Sequence, residues 1–309
     1  MSYECQETSF EQLTIDSHHH FFTKESVPAF KRLLPEGAVE KNPEFKKIIE
    51  TLPTIEERAQ LTVQEMEKSK VDEILLMSFS GDFNTIKSAQ EMFPKKFPGL
   101  VPFIDPREGR DSLDVLEEYK GKGAVAVKFY PGSWGNDFDF NDERVFPYLE
   151  KCLELELTPM IHFGVIKGGP QNLASWPANP LELRPWLQNP KLQEQKYVIA
   201  HFGAGYLREV FLMAYSHKDR IFVDTSGSND WISWSPFSNL TQVFEKTIIA
   251  LSPQQILFGT DSGRLTMRHD VTLRQKGILE DLVTRKIICD ADRWDILGNN
   301  CRQLMLSSE

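Results

Sequence analysis

Three consecutive histidines follow a short apolar run near the start of the chain, in the segment LTIDSHHHFF. The chain has seven histidines in all, so nearly half of them stand in one place. Alternate side chains of a strand share a face, which predicts that His18 and His20 point one way and His19 the other. Two residues of strand rise separate the pair by about 6.6 Å, close enough for both imidazoles to bind one ion. Thr14 and Asp16 are predicted to continue that face toward the interior.

Four later apolar runs also end in a polar residue. PMI leads to His162, YVIA to His201 and ILFGT to Asp261, and Lys128 follows AVAV. A charged group in an apolar setting costs several kcal/mol without a partner, and a shared metal ion would provide one. Imidazole and carboxylate suit Zn²⁺, Fe²⁺, Mn²⁺ or Co²⁺, and the absence of cysteine favours a catalytic site with an open position. The pattern predicts a metal-dependent catalytic site.

Simpler interpretations exist for each of these residues. A lone strand-end histidine such as His162 is more often a hydrogen-bonded core residue. Asp261, in GTDSG, has the setting of a turn or helix cap. The three histidines could be a tag remnant, but they follow a strand pattern. The recurrence over five strands favours a common site. His269, with Arg264 and Arg268 nearby, is either a contact for a substrate anion or a solvated helix start.

Eight short apolar runs recur along the chain with amphipathic stretches between them. Their near-continuous hydrophobicity is typical of parallel strands covered on both faces. The predicted strands are 13–21, 71–79, 99–106, 124–132, 158–164, 196–203, 220–227 and 255–261; the predicted helices are 54–70, 142–157, 206–219 and 240–251, with one or two more at the C-terminal end. Eight such units predict an α/β fold, the (β/α)8 TIM barrel. The doubly wound alternative requires a glycine-rich turn after the first strand, and HHHFFTKES is not one.

No linker or repeat divides the sequence, so residues 1–309 are predicted to form one domain. Long connections at 21–53, 164–195 and 227–239 would lie over the C-terminal mouth of a barrel, where active sites are built. Their aromatic residues suit the walls of a pocket, and they equally suit packing of the loops themselves.

The composition of the chain favours a small molecule as its partner over a nucleic acid or a membrane. A formal net charge of -10 argues against a nucleic-acid surface. No apolar run is long enough to cross a membrane, and the polar N-terminal segment does not resemble a secretory signal. Four cysteines without a CxxC pair allow disulfides, but a reduced, cytoplasmic protein is the simpler interpretation.

The ordered motifs IDSHHH, AVKFYPG, MIHFG, VIAHFGAG, ILFGTDSG and ILGNNCRQLM resemble the amidohydrolase superfamily. The branch that they resemble is the amidohydrolase-related group, or amidohydrolase family 2, which contains aminocarboxymuconate-semialdehyde decarboxylase and several lactonases and hydrolases. The likeness extends over nearly the whole chain. It implies a metal-dependent enzyme and does not specify the substrate.

The resemblance also implies roles for individual residues. The metal ligands would be His18, His20, His162 and Asp261, with zinc as the usual ion, Mn²⁺, Fe²⁺ or Co²⁺ as alternatives, and one ion favoured over two. His201 and Asp261 would be the catalytic acid/base groups. Lys128 stands where two-metal members carry a bridging carboxylated lysine. Candidate substrate contacts are Tyr130, Trp134 and Arg264, and many barrels of this family are homodimers.

Three functions are compatible with this set of residues. The first is hydrolysis of an amide, lactone or related bond of a small carboxylate-bearing substrate by a metal-bound hydroxide, since a bound ion lowers the pKa of water from 15.7 to about 7. The second is non-oxidative decarboxylation of a small aromatic or unsaturated acid. Several decarboxylases of the group carry Glu at the position of His18, although the aminocarboxymuconate enzyme keeps both histidines. The third is a non-catalytic binding protein.

Overall fold

Eight parallel strands form the centre of the protein, in a computed structural model that describes residues 11–32, 41, 43–78, 82–134, 137–165, 178–263 and 268–307. Each strand lies inside a run that the sequence analysis predicted. The strands are β1 (Ile15–His20), β2 (Glu73–Met77), β3 (Gly99–Val101), β4 (Ala126–Phe129), β5 (Thr158–Ile161), β6 (Tyr197–Ile199), β7 (Ile221–Asp224) and β8 (Ile256–Leu257).

The strands close into a cylinder. Each strand is hydrogen-bonded to the next one in the sequence, from β1 through β3 in one sheet and from β4 through β8 in the other. A bridge between Phe103 and Lys128 connects β3 with β4, and a bridge between His19 and Ser262 connects β1 with the end of β8. Gly263 makes the second junction feasible, because a Cβ there would lie 1.4 Å from the carbonyl oxygen of His20. The predicted (β/α)8 TIM barrel is confirmed.

Helices surround the cylinder. The four predicted internal helices are present, and a capping box formed by Thr54 and Glu57 begins the first of them. The helices are α1 (Val27–Arg32), α2 (Pro43–Glu50), α3 (Ile55–Ser69), α4 (Phe83–Met92), α5 (Arg110–Gly121), α6 (Phe146–Glu154), α7 (Arg184–Gln188), α8 (Leu207–His217), α9 (Leu240–Ala250), α10 (His269–Thr284) and α11 (Asp290–Trp294). The long connections at 21–53 and 164–195 therefore contain short helices in their described parts.

The core has two layers. Apolar side chains from the strands fill the interior of the barrel, among them Ile15, Met160, Val198 and Phe222. A larger cluster packs between the strands and the helices. Because side chains alternate along a strand, the residue two positions after an interior side chain also faces inward. His162 and Asp224 follow Met160 and Phe222 by two residues, so polar groups cover the apolar filling at the C-terminal end.

Two further expectations concern the membrane and the cysteines. No helix within the described ranges is both long and apolar enough to span a bilayer. Cys152 and Cys301 are free and buried. Cys289 is disulfide-bonded. The reduced state predicted for the cysteines is therefore correct for Cys152 and Cys301 and wrong for Cys289.

Candidate active site

The predicted site residues meet at the C-terminal mouth of the barrel. The Nε2 atoms of His18 and His20 lie 3.8 and 3.5 Å from Oδ1 of Asp261. The ring of His201 lies 4.8 Å from that of His18 and 4.7 Å from that of His162, between ring centroids. Side chains from β1 and from the segments that follow β5, β6 and β8, which are distant in sequence, therefore surround one small volume.

A bulge in β1 turns His18 into this volume. Ile15 packs in the barrel interior, so strict alternation would send His18 outward. The register of β1 against β2 shifts between Asp16 and His19, and the shift reverses the facing of the residues that follow. The prediction that Thr14 and Asp16 share the inward face of His18 is wrong for this reason.

The Asp16 carboxylate connects β1 with the end of β8. It is fully buried and accepts hydrogen bonds from the backbone N–H groups of His18 and Thr260, at 3.2 and 2.9 Å. Its second oxygen lies 3.3 Å from Nδ1 of His19 and accepts from the Thr260 hydroxyl. This carboxylate holds the histidine-bearing strand beside Asp261, and His19 contacts it rather than the site.

A second buried carboxylate, Asp224 at the end of β7, supports His18. Its Oδ2 lies 2.8 Å from Nδ1 of His18, and both residues are fully buried. Burial alone would raise the pKa of Asp224, but the charge and hydrogen bond of His18 hold that pKa well below its ordinary value. Ionised Asp224 accepts the Nδ1 proton of His18 and leaves the Nε2 lone pair facing the interior, an arrangement typical of metal-binding histidines.

The backbone of His201 is left-handed. Its φ of 56° and that of Phe202, 54°, belong to a region that costs non-glycine residues roughly 1–2 kcal/mol. Alternation after Val198 in β6 would direct His201 toward the helices, and this turn brings its ring back over the mouth. Asp261 also has a positive φ, of 55°. Strain of this kind is concentrated at functional sites.

Burial disfavours the charged form of three imidazoles of the site, those of His20, His162 and His201, because it lowers their pKa values. It lowers the pKa of His201 to about 4, although the charge of Asp261 opposes the effect. Burial and the positive groups around them also hold the pKa values of His20 and His162 well below the ordinary range. A neutral imidazole has a free lone pair, so these side chains are prepared to bind a cation.

Lys128, at the inner face of β4, points into the same volume. Its Nζ lies 3.3 Å from Nε2 of His18, and its side chain is buried. Burial lowers the pKa of this ammonium to about 8, while the charges of Asp224 and Asp261 partly offset the effect. Lys128 therefore lies where the sequence analysis predicted, as an amine beside the predicted ligands.

The remaining candidates line the rim or lie elsewhere. The ring of Tyr130 packs edge-on against His162, with centroids 4.7 Å apart, and burial raises the pKa of its phenol above the ordinary value. Trp134 instead packs among aromatic residues, 5.1 Å from the ring of Phe138. Arg264 lies outside the described residues. Arg268 lies 3.4 Å from Oδ2 of Asp261 and is one-third exposed.

The residues fit a divalent ion. One atom each from His18, His201 and Asp261 lies within 4.8 Å of the other two. Donors bound at 2.0–2.2 Å to one ion lie about 3 to 3.5 Å apart, close to the separations of Asp261 from His18 and His20. The Nε2 atom of His162 is buried without a hydrogen-bond partner among the described residues, as expected for an atom whose partner is an ion.

Two residues of the site were missed from the sequence, Asp224 and Ser226. The run RIFVDTSG has the same form as the others, an apolar strand ending in a polar residue, and the rule applied to the other strands would have identified Asp224. Ser226 carried no signal, because a serine beside glycine is ordinary in a turn.

The closed parallel barrel and a cluster of histidines and aspartates at its mouth define a metal-dependent barrel enzyme. The amidohydrolase family model matches residues 15–304, and the chain belongs to this family, as the resemblance implied. No curated protein matches the chain in sequence.

Several solved structures share the fold. The 2,6-dihydroxybenzoate decarboxylase from Rhizobium is 14% identical, with a TM-score of 0.61 over 95% of this chain and 98% of its own. The 5-carboxyvanillate decarboxylase from Novosphingobium aromaticivorans, with bound manganese and a nitrobenzoic acid, is 12% identical, with a TM-score of 0.65 over 94% and 96%. A putative amidohydrolase from Staphylococcus aureus is 10% identical, with a TM-score of 0.59 over 94% and 99%.

Proposed function

We propose that the protein catalyses the metal-dependent, non-oxidative decarboxylation of a small aromatic or unsaturated carboxylic acid. The observation that carries the proposal is the pair of basic side chains that interact with Asp261, namely Arg268 at 3.4 Å from its Oδ2 and the buried Lys128, which interacts with it through charge. The ring of Tyr130 packs against His162 of the same site. A divalent ion would add two positive charges, so the site favours an anionic, planar substrate.

The groups that would hold the ion are His18, His20, His162 and Asp261. When bound, the ion would supply a Lewis acid that orients the substrate and stabilises negative charge. Zinc is the ion that the family resemblance implies. Manganese is the ion named with the 5-carboxyvanillate decarboxylase, and both fit imidazole and carboxylate ligands.

In the proposed reaction the bond between the carboxylate and its carbon breaks and CO2 leaves. The electron pair stays on that carbon, which takes up one proton, so the product is the acid with hydrogen in place of carboxylate. Asp261 and His201 are the groups that hold and pass this proton. Arg268 and Tyr130 orient the substrate at the rim, and the guanidinium pairs with its carboxylate or another anionic group.

Hydrolysis of an amide or lactone, the main prediction from the sequence, is the second candidate. The complete pair His18 and His20 supports it, because several decarboxylases of the group replace the first histidine with glutamate. The neutral imidazole of His201 would serve as a base toward water. Three of the similar structures are named as decarboxylases of aromatic acids and another as a putative amidohydrolase, a balance that favours the first candidate.

Release of CO2 separates the two reactions. We expect the protein loaded with Mn²⁺ or Zn²⁺ to release one CO2 per molecule of product from at least one member of a panel of hydroxylated benzoic and dienoic acids, measured by headspace mass spectrometry. Amides and lactones of matched size form the parallel panel. Hydrolysis of these without CO2 from any acid would reject decarboxylation and establish the second candidate.

Arg268 is expected to determine affinity for the anionic substrate. Hydrogen bonds to charged groups are worth about 1.5–3 kcal/mol, so Arg268→Gln is predicted to raise KM by about 10- to 100-fold. Arg274→Gln is the matched control, because Arg274 lies in α10, the helix that Arg268 immediately precedes, and its guanidinium contacts the carbonyl oxygen of Ser228 instead. Equal KM values for Arg268→Gln and the wild type would show that Arg268 does not bind the substrate.

A further inference from the structure

Ser226 lies at the centre of the buried hydrogen-bond network below the site. It follows β7 and is fully buried. Its hydroxyl contacts Oδ1 of Asp224, lies 2.7 Å from Nδ1 of His201 and lies 3.1 Å from Nδ1 of His18. One hydroxyl thus touches two histidines of the site and the carboxylate between them.

The direction of each hydrogen bond follows from counting protons. Ionised Asp224 only accepts, and its Oδ1 receives the backbone N–H groups of His201 and Ser226 at 2.9 and 3.0 Å. The hydrogen bond between this oxygen and the Ser226 hydroxyl requires a proton, which the serine must donate. The hydroxyl has one proton, so the contact with Nδ1 of His201 requires His201 to donate.

The same count of protons assigns the tautomer of His162. Neutral His201 with its proton on Nδ1 has a lone pair on Nε2, and this atom lies 3.1 Å from Nδ1 of His162. His162 therefore donates from Nδ1 and carries its own lone pair on Nε2. That atom is the buried nitrogen without a hydrogen-bond partner among the described residues. The opposite tautomers would place a proton on Nε2 of His162 and remove the lone pair that this atom could offer to an ion.

We propose that Ser226 is a positioning residue that holds the proton of His201 on Nδ1 and, through His201, directs the lone pair of His162 toward the metal. The inference rests on the metal site of the proposed function and is independent of which reaction takes place there. Gly227 contributes space, since a Cβ at that position would lie 3.0 Å from Nδ1 of His201.

The tautomers can be read directly by nuclear magnetic resonance. In protein labelled with ¹⁵N-histidine and loaded with diamagnetic Zn²⁺ near pH 7.5, we expect His201 and His162 to carry their protons on Nδ1. The His201→Gln variant assigns the signals of that ring. In Ser226→Ala the Nδ1 preference of His201 is expected to be lost, whereas Ser112→Ala removes another buried serine hydroxyl, in α5, and should leave it unchanged.

Zinc affinity provides the second readout. Loss of an outer partner of a ligand typically weakens metal binding by about 10- to 100-fold, which is the change expected for Ser226→Ala in competition with a chelating dye. Ser226→Thr keeps the hydroxyl and is expected to restore both the affinity and the Nδ1 signal.

The proposal is overturned if His201 of the wild type carries its proton on Nε2, a result that needs no variant. It is also overturned if Ser226→Ala keeps the wild-type tautomers and zinc affinity. Failure of the proposed function gives a different result, in which the tautomers agree with expectation and no acid in the panel releases CO2.

Discussion

Asp224→Asn is expected to lower the turnover number by about 10⁴-fold, the loss seen when a buried Asp→Asn change spoils the histidine tautomer in a serine protease triad. The asparagine side chain can accept hydrogen bonds at only one of the two positions that the carboxylate oxygens of Asp224 occupy. Oδ1 of Asp224 receives three donors and Oδ2 faces Nδ1 of His18, so the new NH2 group falls against His18. His18 must then move its proton to Nε2, the nitrogen that faces the site.

Two measurements separate this effect from a general loss of stability. Asp292→Asn is the control, because Asp292 is equally buried but caps α11 with its carboxylate on the N–H of Cys289. Asp292→Asn is expected to lose stability in thermal unfolding while it keeps its turnover number. An Asp224→Asn enzyme with more than about one-tenth of wild-type turnover would show that the carboxylate does not set the state of His18.

Removal of the divalent ion is expected to abolish turnover. A chelated preparation should fall by at least about 10⁴-fold, because stabilisation of developing charge by a bound ion is worth several kcal/mol, and stoichiometric Mn²⁺ or Zn²⁺ should restore the rate. Elemental analysis is expected to find about one ion per chain in the wild type, as in a mononuclear site with an open position.

His18→Ala tests the same metal site by removing one of its proposed ligands. We expect its metal affinity to fall by more than the roughly 10- to 100-fold typical of losing an outer partner, because His18 is a direct ligand in the proposal. His217→Ala is the matched control, since His217 ends α8 on the outer ring of helices. Full activity in the chelated protein, or one ion per chain in His18→Ala, would contradict the metal site.

The sequence was sufficient to predict the barrel because each strand is buried on both faces. Such a strand must be nearly all apolar, so eight runs with helical stretches between them specify the count and the order. A polar residue at the end of an apolar strand is costly unless it has a partner, which is why His162, His201 and Asp261 could be identified before their positions were known.

The tertiary structure decided how these groups face one another. The bulge in β1 and the left-handed backbone at His201 reverse the facing that strand alternation predicts, and both depend on neighbouring strands rather than on local preference. The partnership of His18 with Asp224 joins residues 206 positions apart. The pattern of apolar and polar residues in the sequence indicates which side chains of a strand are buried. The direction of a hydrogen bond depends instead on which donors and acceptors the closed barrel brings within about 3 Å of each other. For that reason the types of the ligands could be predicted from the sequence, and the residues that orient them could not.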